Sequence, residues 1–358
     1  ALYRAGQLAA ANEDQETAYL LWMRAAEEYP STLYGSAALL DILLADSDIV
    51  ETSLPGELAA SPANSSYQAL RARDLAVGNE PFESQSPFAV PADETEERAA
   101  AESWIVEQFD LDPALVSSDL SEGLLQDDRL AVGKRLWELG LYEEAKSELE
   151  ALRQAYAEDP VATYQLALFF RDLGLYRSSI IAASTLLNLA GSHELDAPLL
   201  IGRLSYPVYY ADLIVPLAEQ YEFDPRLQFS LVRQESLYES FARSGAAAQG
   251  LSQVIPDTGA WIAERLQWPD YENDDLYKPY VGLNFGAYYL GEQLAYFDDD
   301  VHAALAAYNA GPGNAARWYE TAGSDLDLFV ETIDFAETES YVERIYDGYD
   351  NYNHLYAP

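Results

Sequence analysis

One glutamate stands out in the sequence because of its place in a helical pattern. Glu235 lies near the end of a short apolar segment that begins at Asp224-Pro225 and carries Leu227 and Leu231 on one side. Asp is favoured as the N-cap of a helix and Pro at its first position, so the segment is predicted to be helical. A carboxylate at the end of a mostly buried helix is partly desolvated, which raises its pKa and lets it donate a proton near neutrality. Because a lone glutamate at a helix end is usually a solvated charge, this pattern alone makes Glu235 a candidate general acid and no more.

A run rich in small residues begins a few positions after Glu235. The string SGAAAQGLSQVIPDTG begins at Ser244, and its small side chains let the backbone approach a ligand closely. Ser244 and Gln253 add hydrogen-bonding groups without charge. Such a loop suits a polar, uncharged ligand such as a sugar. The plainer interpretation is a helix connection made of small packing residues.

The segments after this loop are predicted to be mostly helical. The string KPYVGLNFGAYYLGEQLAYF indicates one helix, and Asp300 is expected to cap the next, VHAALAAY. That helix is expected to stop at the Gly/Pro turn from Asn309 to Gly313, with Tyr308 and Asn309 at its mouth. The last segment, FVETIDFAETESYVERIYDGYDNY, is predicted to be a short extended piece followed by a helix.

Five motifs in these segments occur in a fixed order. They are RQES, S-x(5)-GLSQVIPDT, N-x-G-x-x-YL, AAYNAGPG and FVETIDFAETESYV. Each is weak alone, but the ordered set closely resembles the catalytic domain of the soluble lytic murein transglycosylases. The resemblance covers about Arg203 to Tyr352 and implies a goose-type lysozyme fold. The helices ahead of it are similar, less specifically, to that family's superhelical and linker domains.

The resemblance assigns roles to individual positions. Glu235 matches the single catalytic glutamate of the family. Five further residues match positions that contact the saccharide or belong to the loop and cleft around it: Ser244, Gln253, Tyr308, Asn309 and Glu337.

The sequence also departs from the family pattern at several positions. Ser252 and Ile255 stand where the family usually has methionines, so the apolar lining of a subsite is altered. Ala247 replaces a usual Gly, and Gly282 replaces an Asn that commonly opens its motif, although Asn284 is kept. These changes bear on fine substrate positioning rather than on the activity.

The resemblance implies cleavage of the β-1,4 bond between N-acetylmuramic acid and N-acetylglucosamine in peptidoglycan. Glu235 would protonate the glycosidic oxygen and then, once ionised, take a proton from the C6 hydroxyl of the same sugar. That hydroxyl attacks the anomeric carbon and gives a 1,6-anhydro product, and its position within the same molecule favours the attack. No metal and no cofactor are called for.

Two other functions stay open at this point. A lysozyme-type hydrolase of the same fold would use water in place of the C6 hydroxyl. A non-catalytic cell-wall scaffold would use the helical region as its working part. Retention of Glu235, Ser244 and Tyr308 argues against the scaffold.

The fold class is predicted to be all-α throughout. Ala, Leu, Glu and Gln are plentiful and β-branched residues are sparse. The string LGLY occurs at Leu139 and again at Leu173, an offset of 34 residues, which is the period of tetratricopeptide helix hairpins. We therefore expect such hairpins over about 130–190 within a helical region 1–202, followed by the catalytic domain 203–358. Such a helical region could bind partner proteins of cell-wall synthesis.

Composition excludes several classes of partner. The chain has 61 Asp and Glu against 20 Lys and Arg, a formal charge of −41, so nucleic acid and anionic membranes are poor partners. It has no Cys, and acidic strings such as FDDDV lack the spacing of a calcium loop. Peptidoglycan lies outside the cytoplasmic membrane, so we expect an exported, periplasmic or envelope-associated protein that acts as a monomer. Trp261, Trp268 and Trp318 are interpreted as core residues rather than sugar platforms.

Overall fold

The computed structural model describes residues 1–45, 55, 58–59, 64–84, 86–91, 93–323 and 325–358. Every named element in these ranges is a helix, and the only β-type pairing there consists of two isolated bridges around Gln249. The predicted all-α class is therefore confirmed. No helix in the described ranges is long and apolar enough to cross a membrane.

The chain divides into two compact units. One comprises Ala1–Gln85 and Asp300–Asp350, and the other comprises Ser86–Asp299 and Asn351–Pro358. The domain boundary predicted between residues 202 and 203 stays a prediction.

The first unit begins with helices whose ends follow local sequence signals. Its opening helices are α1 Leu2–Ala11, α2 Gln15–Glu28, α3 Leu33–Leu44 and α4 Tyr67–Val77. The helical spacing of small and apolar residues predicts paired helices before Pro30, a further helix after it and one near Tyr67, and all are present. The Asp14 side chain caps α2 and the Thr32 side chain caps α3, as short polar residues do at helix starts. The stretch from Asp46 to Glu97 is rich in Pro, Ser and acids, which predicts loops around the helix near Tyr67, and part of it lies outside the described residues.

The second unit contains eleven helices in the described ranges. They are α5 Thr95–Phe109, α6 Glu122–Leu125, α7 Asp128–Glu138, α8 Tyr142–Ala155, α9 Pro160–Leu173, α10 Tyr176–Ala190, α11 Leu199–Ser205, α12 Ala211–Gln220, α13 Pro225–Ser236, α14 Pro256–Arg265 and α15 Pro279–Tyr296. Two 3-10 helices, Pro113–Leu115 and Asn273–Tyr277, lie between them.

The two LGLY strings form the turns of two successive helix hairpins, α7–α8 and α9–α10. Gly140 and Gly174 adopt φ values of 76° and 86°, which glycine reaches without steric cost. The tyrosine of each string starts the second helix of its hairpin. Ala145 and Ser179, the small residues three positions after these tyrosines, are both fully buried. The predicted hairpins are confirmed.

The chain then returns to the first unit with four helices, α16 Val301–Ala310, α17 Pro312–Ala322, α18 Leu326–Thr332 and α19 Ala336–Leu355. The last five residues of α19 are assigned to the second unit. Asp300 caps α16 as predicted, and α16 ends before Gly311. The short extended piece expected ahead of α19 is wrong for most of its length, because residues up to Thr332 are helical. The side chain of Asp325 accepts a hydrogen bond from the Leu328 amide and so starts a helix that the sequence did not reveal.

Candidate active site

Glu235 is the second-last residue of α13 and is half-buried. The helix begins as predicted, because the Asp224 carboxylate accepts a hydrogen bond from the Arg226 amide at 2.8 Å and Pro225 occupies the first position. Most of the helix ahead of Glu235 is buried, including Phe229 at 0% exposure. The carboxylate is therefore carried by a core helix rather than by a solvated one.

Side chains on α13 fix the helix against its neighbours within the second unit. Gln228 donates to the Leu283 carbonyl of α15 at 3.0 Å. Arg233 donates to the Ser205 carbonyl at 2.9 Å, and its guanidinium lies 3.8 Å from the centre of the Tyr206 ring. Arg233 thus contacts the end of α11 and the residue after it; residues two apart on a helix do not face each other, so it lies on a different side from Glu235.

The backbone turns sharply directly after Glu235. Leu237 and Tyr238 have φ values of 49° and 62°, a left-handed conformation that costs free energy in non-glycine residues. Tyr238 offsets that cost by burying its ring and by sharing hydrogen bonds with the Phe229 carbonyl at 3.2 Å and the Tyr352 hydroxyl at 3.0 Å. Burial raises the pKa of both tyrosines well above the usual value, so this network stays neutral.

The site loop, residues 237–255, is held closed by its own polar groups. The exposed Ser244 accepts backbone N–H bonds from Ala246 at 3.2 Å and Ala248 at 3.1 Å on its hydroxyl oxygen. The Gln253 amide donates to the carbonyls of Ala242 at 3.1 Å and Gly250 at 2.8 Å. The two residues predicted to contact substrate therefore also organise the loop that presents them.

Two glycines near the loop permit a close approach to the carbonyl of Leu276. A Cβ on Gly250 would lie 2.0 Å from that oxygen, and one on Gly282 would lie 2.7 Å from it. Gly282, where the family has an Asn, is thus required by packing here. The retained Asn284 is buried and accepts a 2.7 Å hydrogen bond from Tyr221, so it supports the core of this unit.

The methionine replacements lie in different surroundings from one another. Ser252 is fully buried, whereas Ile255 is 44% exposed and precedes α14 as its N-cap residue. Only Ile255 therefore alters an exposed surface of the loop.

The other three predicted site residues belong to the first unit. Tyr308 and Asn309 are half-buried at the end of α16, and Glu337 is exposed in the first turn of α19. The side-chain oxygen of Asn309, Oδ1, accepts a 2.7 Å hydrogen bond from the Thr338 hydroxyl, which brings Asn309 next to the residue after Glu337. The structure thus groups Glu235, Ser244 and Gln253 in one set and these three in another.

The tryptophans are packing residues, as expected. Trp318 is 1% exposed and donates to Asp334 at 2.9 Å. Trp261 and Trp268 are partly buried against the cluster around Phe285.

A second acidic feature occupies the first unit. A cavity of about 530 Å³ is lined by Asp41, Glu331 and four more carboxylates, Asp325, Asp327, Glu339 and Glu343. Burial raises the pKa of Asp41 to about 7, aided by repulsion from Glu331 and opposed by a hydrogen bond from Tyr3. The lining shares no residue with the predicted site, and the described residues contain no cluster of potential ligands able to hold a metal ion.

Residues 212–327 match the family model described as the Transglycosylase SLT domain. The resemblance of this part of the chain to the soluble lytic transglycosylases is therefore confirmed.

Individual relatives support the same assignment. The soluble lytic murein transglycosylase of Salmonella typhimurium is 32% identical over 155 residues, which are 42% of this chain and 24% of that protein. The 70-kDa soluble lytic transglycosylase of Escherichia coli superposes with a TM-score of 0.68 over 99% of this chain and 52% of that one, at 21% identity. An inactive variant of a lytic transglycosylase from Pseudomonas aeruginosa has a TM-score of 0.56 at 20% identity, covering 94% of this chain and 54% of its own. The chain spans about a quarter of the length of the curated relative and about half of these solved structures.

Sequence reasoning missed the partners of the site loop. Tyr238 and Tyr352 meet across 114 residues, and Ser236 bonds to the Leu251 carbonyl at 2.8 Å. Neither contact has a local signal. The tyrosines of the two LGLY strings were interpreted only as residues of the hairpin turns, and their capacity to pack against other segments was not considered.

Proposed function

We propose that this protein cleaves the β-1,4 bond between N-acetylmuramic acid and N-acetylglucosamine of peptidoglycan without hydrolysis, leaving 1,6-anhydro ends. The observation that carries this proposal is the SLT domain match over 212–327, which contains Glu235 at the end of a buried helix. The relatives named as murein transglycosylases support the substrate class.

Glu235 is proposed to act first as acid and then as base. Most glycosidases use two carboxylates, one as acid and one as nucleophile or base. A single carboxyl group suffices when the nucleophile is the C6 hydroxyl of the sugar itself, because the group that loses its proton to the leaving oxygen is then ready to accept the hydroxyl proton. The Pseudomonas aeruginosa structure is of an inactive variant with a glutamate changed to glutamine, which supports a role for one carboxyl group in this fold.

The remaining site residues are proposed to bind the glycan. Ser244 is exposed in a loop that its own hydroxyl oxygen organises, which presents its backbone and side chain to a saccharide. Gln253 is proposed to keep that loop in shape as well as to lie beside the sugar. Tyr308, Asn309 and Glu337 are proposed as further glycan-contacting residues.

The same proposal sets the compartment and the division of labour along the chain. A protein that acts on peptidoglycan works outside the cytoplasmic membrane, so we place this one in the periplasm or cell envelope. We assign catalysis to residues 203–358 and partner contacts, such as those with cell-wall synthesis proteins, to the helical region 1–202.

Replacement of the proposed acid tests the function directly. Glu235→Gln keeps the size and hydrogen-bonding capacity of the side chain but removes its proton chemistry, and such a loss lowers rates by about 10²–10⁴-fold. Glu219→Gln, at an exposed position of α12, is the matched control. We expect wild type and Glu219→Gln to release soluble fragments from purified peptidoglycan and Glu235→Gln to bind the polymer without cutting it. Equal release by all three proteins would remove Glu235 from the mechanism, and no release by wild type would refute the proposed function.

A further inference from the structure

Two cationic side chains converge on one glutamate close to the proposed acid. Glu239, four residues after Glu235, forms an ion pair with Lys146 of α8, and the Arg177 guanidinium of α10 lies 3.9 Å from its other carboxylate oxygen. The Glu239 side chain is only 11% exposed. The chain has only 20 Lys and Arg for 61 Asp and Glu, so most of its carboxylates cannot have two cationic neighbours as Glu239 does.

An aromatic contact reinforces the same junction. Tyr142, the tyrosine of the first LGLY string, stacks on Phe241 with 5.6 Å between ring centres and 7° between planes. Tyr142 and Lys146 are four residues apart on α8, so they project from the same face of the helix. One face of the first hairpin therefore contacts both Glu239 and Phe241.

The segment Glu239–Phe241 connects the helix end that carries the proposed acid to the rest of the site loop. The Glu239 amide donates to the Ser236 carbonyl at the end of α13, and the Glu239 carbonyl accepts from the Ala242 amide, both at 3.1 Å. The Ala242 carbonyl in turn accepts from the Gly250 amide at 3.0 Å and from the Gln253 side chain at 3.1 Å. Displacement of Glu239 therefore moves both the helix end and the loop.

This segment follows two residues whose backbone conformation is unfavourable by itself. Leu237 and Tyr238 are left-handed, a conformation that persists in non-glycine residues only where the surroundings enforce it. The buried tyrosine network fixes Tyr238 from one side. The contacts from α8 fix the next residues from the other.

We propose that Tyr142 and Lys146 are positioning residues, and that the first helix hairpin acts as a brace that holds Glu239–Phe241 and thereby sets the geometry of Glu235 and Ser244 toward the glycan. The inference rests on the proposed function and deepens it by assigning a role in catalysis to a hairpin outside the matched domain.

The side chains of Tyr142 and Lys146 are not part of the buried core beneath the hairpin. That core contains Leu130, Leu149 and Leu152 together with Leu166 and Phe170 of α9, and Tyr142 packs beside it, edge-on against Trp137 of α7. Tyr142 is 44% exposed and Lys146 is half-buried. Loss of Lys146 also leaves Arg177 beside Glu239, so the carboxylate is not stranded without a cation.

The test compares brace variants with a control on the same helix. Lys146→Met and Tyr142→Leu remove the two contacts, and Arg153→Met removes an equally sheltered ion pair, to Glu150, that stays within α8. We expect both brace variants to lower kcat/KM on peptidoglycan about tenfold, since misplacement by about 1 Å can cost up to about 10²-fold in rate. Arg153→Met should keep kcat/KM near the wild-type value, although its unfolding midpoint should fall because Glu150 loses its cation partner. Lys146→Arg should restore activity. Unchanged kcat/KM in both brace variants, or an equal loss in Arg153→Met, would overturn the inference.

Hydrogen exchange separates this inference from the proposed function. The amides of Ala242 and Gly250 close the linked segment and should exchange about tenfold faster in the brace variants than in Arg153→Met, because a locally loosened segment opens more often. If wild type proves inactive, the proposed function fails while this readout still tests the brace. Equal exchange in all variants would show that α8 does not hold the loop.

Discussion

Ser236 and Leu251 are joined across the site loop by a 2.8 Å hydrogen bond from the serine hydroxyl to the leucine carbonyl. Leu251 is 1% exposed, so that carbonyl is sheltered from water. Ser236 directly follows Glu235, and the bond therefore ties the far side of the loop to the end of the helix that carries the proposed acid. This hydroxyl is a second link between the helix end and the loop, beside the backbone hydrogen bonds of Glu239 and Ala242.

Removal of that hydroxyl is expected to lower both the activity and the folding stability. Ser236→Ala leaves a buried carbonyl without this donor, which costs about 1–3 kcal/mol of unfolding free energy, and it frees the loop from the helix end. We predict a fall in kcat/KM of about tenfold, measured on purified peptidoglycan.

Ser230→Ala provides the control for this prediction. Ser230 is also buried on α13, but its hydroxyl donates at 2.8 Å to the Arg226 carbonyl of the same helix. The control variant should keep its activity. A matching loss of activity in Ser230→Ala would mean that the Ser236 effect is general to the helix.

Ala247 is strained in a way that its replacement by glycine should relieve. Its φ is 63°, in the left-handed region that costs a non-glycine residue about 1–2 kcal/mol. We predict that Ala247→Gly raises the unfolding free energy by about 1 kcal/mol, measured by chemical denaturation. Ala246→Gly, in the same loop but outside that region, adds backbone freedom without relief and should lower it. A stability loss in Ala247→Gly equal to that in Ala246→Gly would refute the strain.

The raised pKa of Asp41 predicts a stability that falls as pH rises. The folded-state pKa of Asp41 is about 7, raised first by burial and then by Glu331, against the usual 3.8 of an Asp side chain in water. Between these values the unfolded chain gives up the proton while the folded chain keeps it, so unfolding is favoured increasingly as pH rises through this window. Below pH 3.8 both states are protonated and the effect disappears.

Asp41→Asn removes the titrating group and should flatten this dependence. We predict that the variant gains stability relative to wild type at pH 8 but not at pH 4, measured as the shift in denaturation midpoint. Asp196→Asn, at an exposed turn, controls for the loss of one negative charge. The same gain at both pH values would contradict a titration of Asp41.

Local signals in the sequence predicted the elements that carry the site. Asp224 and Pro225 started α13 as expected, and the two glycines of the LGLY strings marked real hairpin turns. Helix α18 was missed because FVET contains β-branched and aromatic residues, whereas its start depends on the Asp325 side chain. There the capping interaction of Asp325 outweighs the low helix propensity of these residues.

Contacts between distant residues were beyond sequence reasoning. Nothing in the strings around Lys146 and Glu239 indicates that they meet across 93 residues. Likewise, the polar groups of Ser244 and Gln253 were expected to face a ligand, and only the structure reveals that they also bind their own loop. The roles of Tyr308, Asn309 and Glu337 stay predictions.

Mass spectrometry of the products released from purified peptidoglycan tests the central claim most directly. Attack by the C6 hydroxyl leaves a 1,6-anhydro-N-acetylmuramic acid end, which is lighter by one water than the reducing end left by hydrolysis. We predict anhydro ends on the fragments made by the wild-type protein and none from Glu235→Gln. Fragments with reducing ends only would contradict the account and assign the protein to the hydrolases of the same fold.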